Sequence, residues 1–188
     1  MTRRAADVEE TRRRIVEATM ELHGEKGMLE TTLQDIARRA DVALGTVYRH
    51  YPTLDDVVSA CGEAWFELYP LPGPDEIAAL FRGARSKRAR AERLAHALGE
   101  FYRDWLPTFL EVRRARHAFR RVEEGHRAME GAVDAFVDEA VRPLNAGEPE
   151  RRAVRGLVDA RTWQAMLDHI GDEQEVERLV ARLVACAL

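Results

Sequence analysis

Apolar residues recur at helical spacing along nearly the whole chain, and alternating β-branched strings are absent. Asp7 with Glu10 forms a helix-start signal, and Ile15, Ala18, Thr19 and Leu22 then share one face to about His23. Gly24 and Gly27 are the expected stop. Thr32 with Asp35 opens a short helix from Leu33 to about Ala40. A third helix is expected from near Ala43 to His50, with Pro52 ending it. Thr53 with Asp56 opens a fourth, whose stripe is Val57, Cys61, Ala64, Trp65 and Leu68.

Pro70, Pro72, Gly73 and Pro74 mark a connector. Further helices are expected at about 75–83 and 86–106. Pro107 then starts or kinks another that runs to about 124. The pattern continues with helices at about 126–142, 149–169 and 172–187, and a loop from Pro143 to Pro149. The fold expected is all-α, with residues 1–52 as one domain and 53–188 as a second, helical one.

Composition adds little to this and removes several alternatives. With 33% charged and 46% hydrophobic residues, the chain suits a globular protein. No apolar run approaches the ~18 residues of a membrane span, and the opening MTRRAADVEETRRR lacks the apolar core of a secretion signal. A cytoplasmic protein with no membrane partner is expected. Cys61 and Cys186 lie far apart in apolar surroundings and are expected to be buried free thiols. The net charge is −4, and residues 1–54 hold nine basic and nine acidic side chains. Charge therefore permits nucleic-acid binding without arguing for it. The local crowding of Arg3, Arg4, Arg12, Arg13 and Arg14, then Arg38, Arg39 and Arg49, matters more.

The informative stretch is LQDIARRADVALGTVYRHYP, residues 33–52. Two short helices that cross steeply need a small shared core, here Ile36, Ala40, Val42 and Val47, and a small residue at the crossing, here Ala37. Asp41 sits where a left-handed backbone is needed, which Asp tolerates. Gly45 and Thr46 are small enough for close approach to DNA. Thr46, Tyr48, Arg49 and His50 can all donate to phosphates or base edges. A plain helical hairpin in a bundle shares the packing pattern, but not this run of outward donors.

The segment TTLQDIARRADVALGTVYRHYPTLDDVV resembles the DNA-binding region of the tetracycline-repressor (TetR) family over about residues 11–58. The resemblance rests on Thr31 and Thr32, on Asp35-Ile36-Ala37, and on Gly45-Thr46-x-Tyr48-x-His50-Tyr51-Pro52. It implies an all-helical homodimeric repressor that binds a double-stranded palindromic operator and lets go when a small-molecule effector binds. By the same resemblance Thr32 would hold a phosphate, Gly45, Thr46 and Tyr48 would lie in the groove, and His50 would touch the backbone. Gln34, Ala43, Leu44, Arg49 and the leading Arg3 and Arg4 complete the expected contacts. Three positions depart from the family pattern. Ala43 replaces the usual Ser cap, a loss of ~1 kcal/mol. Asp41 replaces Gly, and Leu54 stands where a phosphate-binding Lys is common.

Residues 75–188 carry no motif. Val154, Leu157, Val158, Arg161 and Ala165, then Val176, Leu179, Val180, Leu183, Val184 and Ala187, line two wide faces. Pairing of about 149–187 with a second copy would cover them. Tyr102, Trp105, His117 and Trp163 are the expected lining of an effector cavity between bundle helices. The Arg-rich stretch Arg82 to Arg93 reads as a solvated helix face. His96, His117 and His126 are too far apart for a helical metal pair, and no metal or cofactor is expected. Without HExxH, P-loop, GxGxxG or GxSxG, an enzyme using the cavity has no recognisable machinery. A protein-interaction module remains the other alternative, and it would lack the salt dependence of DNA binding.

Overall fold

The computed structural model describes residues 3–188, with side chains from Ala5 onward, and divides into two compact units. The described residues form ten α-helices and one 3-10 turn at Arg142–Leu144, with no strand among them. The first unit comprises residues through Pro70 together with Glu111–His126. It holds α1 (Arg3–Lys26), α2 (Leu33–Arg39), α3 (Leu44–His50) and α4 (Leu54–Leu68). The second comprises Leu71–Leu110 and Arg127–Leu188, with α5 (Pro74–Leu80), α8 (Glu148–Leu157), α9 (Ala160–Ile170) and α10 (Glu173–Ala187). Two long helices, α6 (Lys87–Ala115) and α7 (Arg120–Val141), contribute residues to both units.

In the first unit Ile15, Ala18 and Leu22 of α1 bury against Ile36, Ala37 and Ala40 of α2, Val47 of α3, Tyr51 and Val57. Val57, Val58 and Cys61 make α4 part of this unit, so its compactness extends beyond the residue-52 boundary. Both Thr-x-x-Asp signals act as capping boxes. The Thr32 and Thr53 hydroxyls accept from the backbone N–H of Asp35 and Asp56, and each carboxylate reaches back to the cap. The Asp7–Glu10 signal does not open a helix, because α1 already begins at Arg3. Nothing between Arg3 and Asp7 breaks helix, and Ala5 and Ala6 favour it.

The second unit corrects three expectations. Pro107 neither starts nor ends a helix: α6 runs through it to Ala115, and the break falls at residues 116–119. An interior proline costs about 3 kcal/mol. Burying Trp105, Leu106 and Phe109 around it outweighs that, at roughly 1.5–3 kcal/mol each. The single helix expected over 149–169 is two. Asp159 caps α9 by accepting from Arg161 N–H at 3.0 Å, and the Tyr102 hydroxyl donates to the Val158 carbonyl at 2.7 Å, satisfying a group left over at the end of α8. Arg90 is not on a solvated face. It is 5% exposed, donates to the carbonyls of Ala140 (2.7 Å) and Ala84 (2.9 Å), and lies over the Phe81 ring.

Of the two thiols, Cys61 is buried, but Cys186 is exposed, because it falls on the outward side of α10 away from Val180 and Val184. No described helix is long and apolar enough to cross a membrane.

Candidate nucleic-acid interface and effector cavity

Helices α2 and α3 are joined by a turn in which Asp41 adopts φ 52, the left-handed conformation expected of it. A clamp from α1 holds this turn: the Arg14 guanidinium donates to the Ala40 carbonyl and, at 3.1 Å, to that of Asp41. Arg14 is thus drawn into the turn rather than left free toward DNA like Arg49. Its role here is to fix the angle between the two helices, satisfying the carbonyls at the end of α2.

With Val47 wholly buried, the helical period turns the following residues outward. Tyr48 is 50% exposed, Arg49 is exposed, and Thr46 and His50 are half-buried. Arg49 makes no hydrogen bond or ion pair among the described residues. Its neighbours are engaged: Arg13 pairs with Glu10 and Glu17, Arg38 with Asp35, and Arg39 with Glu21 and Glu25. Arg12 lies over the ring of buried Tyr51, 5.3 Å from its centroid. Burial first, then the charges of Arg49 and Arg12, holds the His50 pKa below its ordinary value.

Gly45 is exposed, and a Cβ there would meet no atom within 4 Å. Ala43 serves as the N-cap of α3 without a side-chain bond, as its methyl requires. Gln34 is exposed beside this face and Leu44 is half-buried against the core. The Thr32 hydroxyl is engaged with the Asp35 carboxylate at 2.6 Å, and Lys26 and Thr32 hold that carboxyl well below the usual carboxylate range. Thr31, by contrast, is buried and donates to the Gly27 carbonyl at 2.8 Å. Leu54 packs against the core cluster, which is what the fold gains where a Lys is missing. The expected contacts of Arg3 and Arg4 lie outside the described side chains.

Two features of this unit gave no motif. The Glu111 carboxylate accepts from Met28 N–H at 2.6 Å and so holds the segment between α1 and α2. His23 is buried beside Cys61, at 3.7 Å. Burial lowers the His23 pKa to about 4 and pushes the Cys61 thiol up to about 12.

In the second unit a cavity of about 220 Å³ lies between α6, α9 and α10. Tyr102 and Trp163, both expected here, line it, with ring centroids 5.3 Å apart. Trp105 is buried instead in a stack with Phe101, and His117 is an exposed residue of the first unit. Gly99, Arg103, Leu106, Pro107, Leu167 and Glu177 are lining residues that sequence reading missed. One signal was present: Glu177 sits in the inward stripe of Val176 and Val180, where an acid is out of place. Half-buried Glu177 also meets exposed His96 and Glu100, with the ligand-type atoms of the three within 4.8 Å of one another. A search for His–His spacing could not find it.

The first unit thus carries a helix-turn-helix with an outward donor face, and the second carries a cavity. Residues 15–61 match the family model of bacterial regulatory proteins, tetR family, so this region is similar to that family's DNA-binding part. The chain is 43% identical over 56 residues to the HTH-type transcriptional regulator SrpR of Pseudomonas putida, a match covering 30% of this chain and 26% of that protein. The chain thus spans well under two thirds of the length of the curated relatives it matches. The fold is shared along nearly the whole chain. The multidrug binding protein EbrR, solved with proflavin, aligns with TM-score 0.58 and 23% identity over 92% of this chain and 99% of its own. The regulator FadR from Bacillus subtilis, solved with stearoyl-CoA, aligns with TM-score 0.57 and 18% identity over 93% and 98%.

Proposed function

We propose that the chain is a transcriptional repressor that works as a homodimer through about 149–187, binds a palindromic operator with two α3 helices, and is released by a small-molecule effector. The observation that carries this reading is the outward face of α3. Gly45, Thr46, Tyr48, Arg49 and His50 present small size and hydrogen-bond donors where the fold itself needs neither. Tyr48 and Arg49 contact base edges or phosphates, Gly45 allows the backbone close, and Gln34, Ala43 and Leu44 flank the contact. Thr32 takes a phosphate once its hydroxyl turns from Asp35, and Arg3 and Arg4 extend the basic surface along the duplex.

The homodimer is supported by the outward apolar stripe of Leu179, Leu183 and Cys186 on α10, with Ala165 and Met166 on α9. Such a pair of helices needs further partners, and a second copy provides them by two-fold symmetry. The cavity beside Tyr102 and Trp163 supplies the effector site. That the structurally similar EbrR and FadR were solved with proflavin and stearoyl-CoA supports a small-molecule ligand for this fold.

Selection of bound DNA from random sequence tests the reading. The expected sites are two-fold symmetric, with half-sites about 34–36 Å apart or a multiple of that. Affinity should fall steeply with salt through counterion release. Sites without symmetry, or a monomer at micromolar concentration in sedimentation, overturn it.

A further inference from the structure

We infer that the effector of the α6–α9–α10 cavity is a small organic cation of one or two rings, held against the Glu177 carboxylate. The inference rests on the reading that this cavity is the effector site. Size comes first. A cavity of roughly 150 Å³ takes a benzene ring, and drug-sized ligands need roughly 300 Å³ or more. At about 220 Å³, this one takes a ring pair with a short side chain.

Charge comes second. Among the described residues the one guanidinium lining the cavity, that of Arg103, is shared between Glu100 at 2.7 Å and Glu173 at 3.3 Å. Glu177 is a third carboxylate, 19% exposed, faced at 3.3 Å by the His96 imidazole from α6. Trp163 and Gln164 of α9 and Glu173 of α10 bring it no positive charge. A carboxylate this withdrawn from water is costly unless paired. An anionic ligand would meet the carboxylates of Glu173 and Glu177 and one committed arginine. An ammonium group would complete the pair with Glu177, and its ring would lie along Tyr102 and Trp163, whose faces also favour cations.

Shape comes third. Gly99 of α6 is buried, and a Cβ there would collide with the Glu177 carboxylate. The absence of a side chain at Gly99 is therefore what lets the carboxylate sit at the cavity wall. Glycine in a helix interior is unfavourable relative to Ala, so the fold alone would not choose it.

Calorimetry on the full chain, with EDTA present, tests this with three indoles that differ in charge: tryptamine, tryptophol and indole-3-acetate. Tryptamine should bind at least about tenfold tighter than tryptophol, with indole-3-acetate weaker still. Glu177→Gln should bring tryptamine down to the level of tryptophol. Gly99→Ala should do the same by displacing the carboxylate, and it keeps the test alive if Glu177→Gln fails to fold. Equal or tighter binding of tryptophol or indole-3-acetate, no binding of any of the three, or unchanged tryptamine affinity in a folded variant overturns the inference. Operator binding, measured on the same preparations, separates the two readings. A chain that binds its DNA but ignores charge keeps the proposed function and loses the cation. A chain that prefers tryptamine but binds no DNA does the reverse.

Discussion

Two short helix pairs, α2–α3 and α9–α10, are built by the same local rules and present opposite surfaces. Each turns through a left-handed residue, Asp41 at φ 52 in the first and Gly171 at φ 75 in the second. Each opens a helix on a side-chain cap, Thr32 in the first and Asp172 in the second. Each buries one stripe: Ile36, Ala37 and Val47, against Trp163, Val176, Val180 and Val184. The outward stripes then diverge. On α3 it is Thr46, Tyr48 and Arg49; on α10 it is Leu179, Leu183 and Cys186. What a helix pair is for is therefore written on the face that its own core does not use. Donors and a cation suit a polyanion, while a half-exposed apolar stripe suits another apolar stripe.

The largest expected effect comes from breaking the second pair's surface. Leu183 is 37% exposed, so Leu183→Glu places a charge on the stripe without entering the core. If α9–α10 pairs with a second copy, this variant sediments as a monomer. It then loses the linkage of two half-sites, which is worth about 10²- to 10⁴-fold in operator affinity. A variant that stays dimeric with full affinity would show that the two faces do not divide the work in this way.

Acid should separate the two units next. His23 lies in the core of the first unit, and burial holds its pKa near 4 rather than 6.5. The unfolded chain thus takes up the proton first as pH falls. Stability from keeping His23 neutral is full above about 6.5 and is lost progressively down to about 4, on the order of 3 kcal/mol in all. Chemical denaturation at pH 7 and pH 4.5 should show the loss, and His23→Leu should flatten it. Equal acid sensitivity in that variant would assign the effect to other groups.

The first unit could be read from sequence because its constraints are local. The caps of α2 and α4, the left-handed Asp41 and the missing cap at Ala43 each depend on residues within three or four positions. The second unit's features depend on distant partners. Asp159 splits α8 from α9, and it is Tyr102, 56 residues earlier, that satisfies the Val158 carbonyl. Pro107 stays within α6 because buried neighbours on both sides hold it there. The cavity draws on three helices, so Tyr102 and Trp163 could be guessed as aromatics, whereas Gly99 and Glu177 acquire meaning only together. The arginines fell between these cases. Composition marks eight as crowded toward this unit, and geometry divides the six with described side chains into a turn clamp, three ion-paired side chains, one over Tyr51 and one with no pairing among the described residues.

Tyr48→Ala tests the donor face itself. At 50% exposure beside wholly buried Val47, Tyr48 contributes little to the core. Its loss should cost ~1–3 kcal/mol of operator binding, about ten- to hundredfold, while the melting temperature holds. A marked fall in melting temperature with strong binding retained would return Tyr48 to a packing role.

The smallest effect is also the sharpest division between fold and function. Gly45 sits in the first turn of α3, at an ordinary helical φ, with open space where a Cβ would go. Nothing inside the protein therefore asks for glycine there. Ala at a helical position is favoured over Gly by roughly 0.5–1 kcal/mol, so Gly45→Ala should melt at the same temperature or slightly higher. If the α3 backbone approaches the duplex closely at this point, the added methyl must push it away, and operator affinity should fall by several-fold. Stability and affinity then move in opposite directions. A structural role for Gly45 would lower both, and a surface that never meets DNA would leave affinity untouched. Thermal melts and fluorescence anisotropy on a labelled operator, run on the same preparation, distinguish the three outcomes.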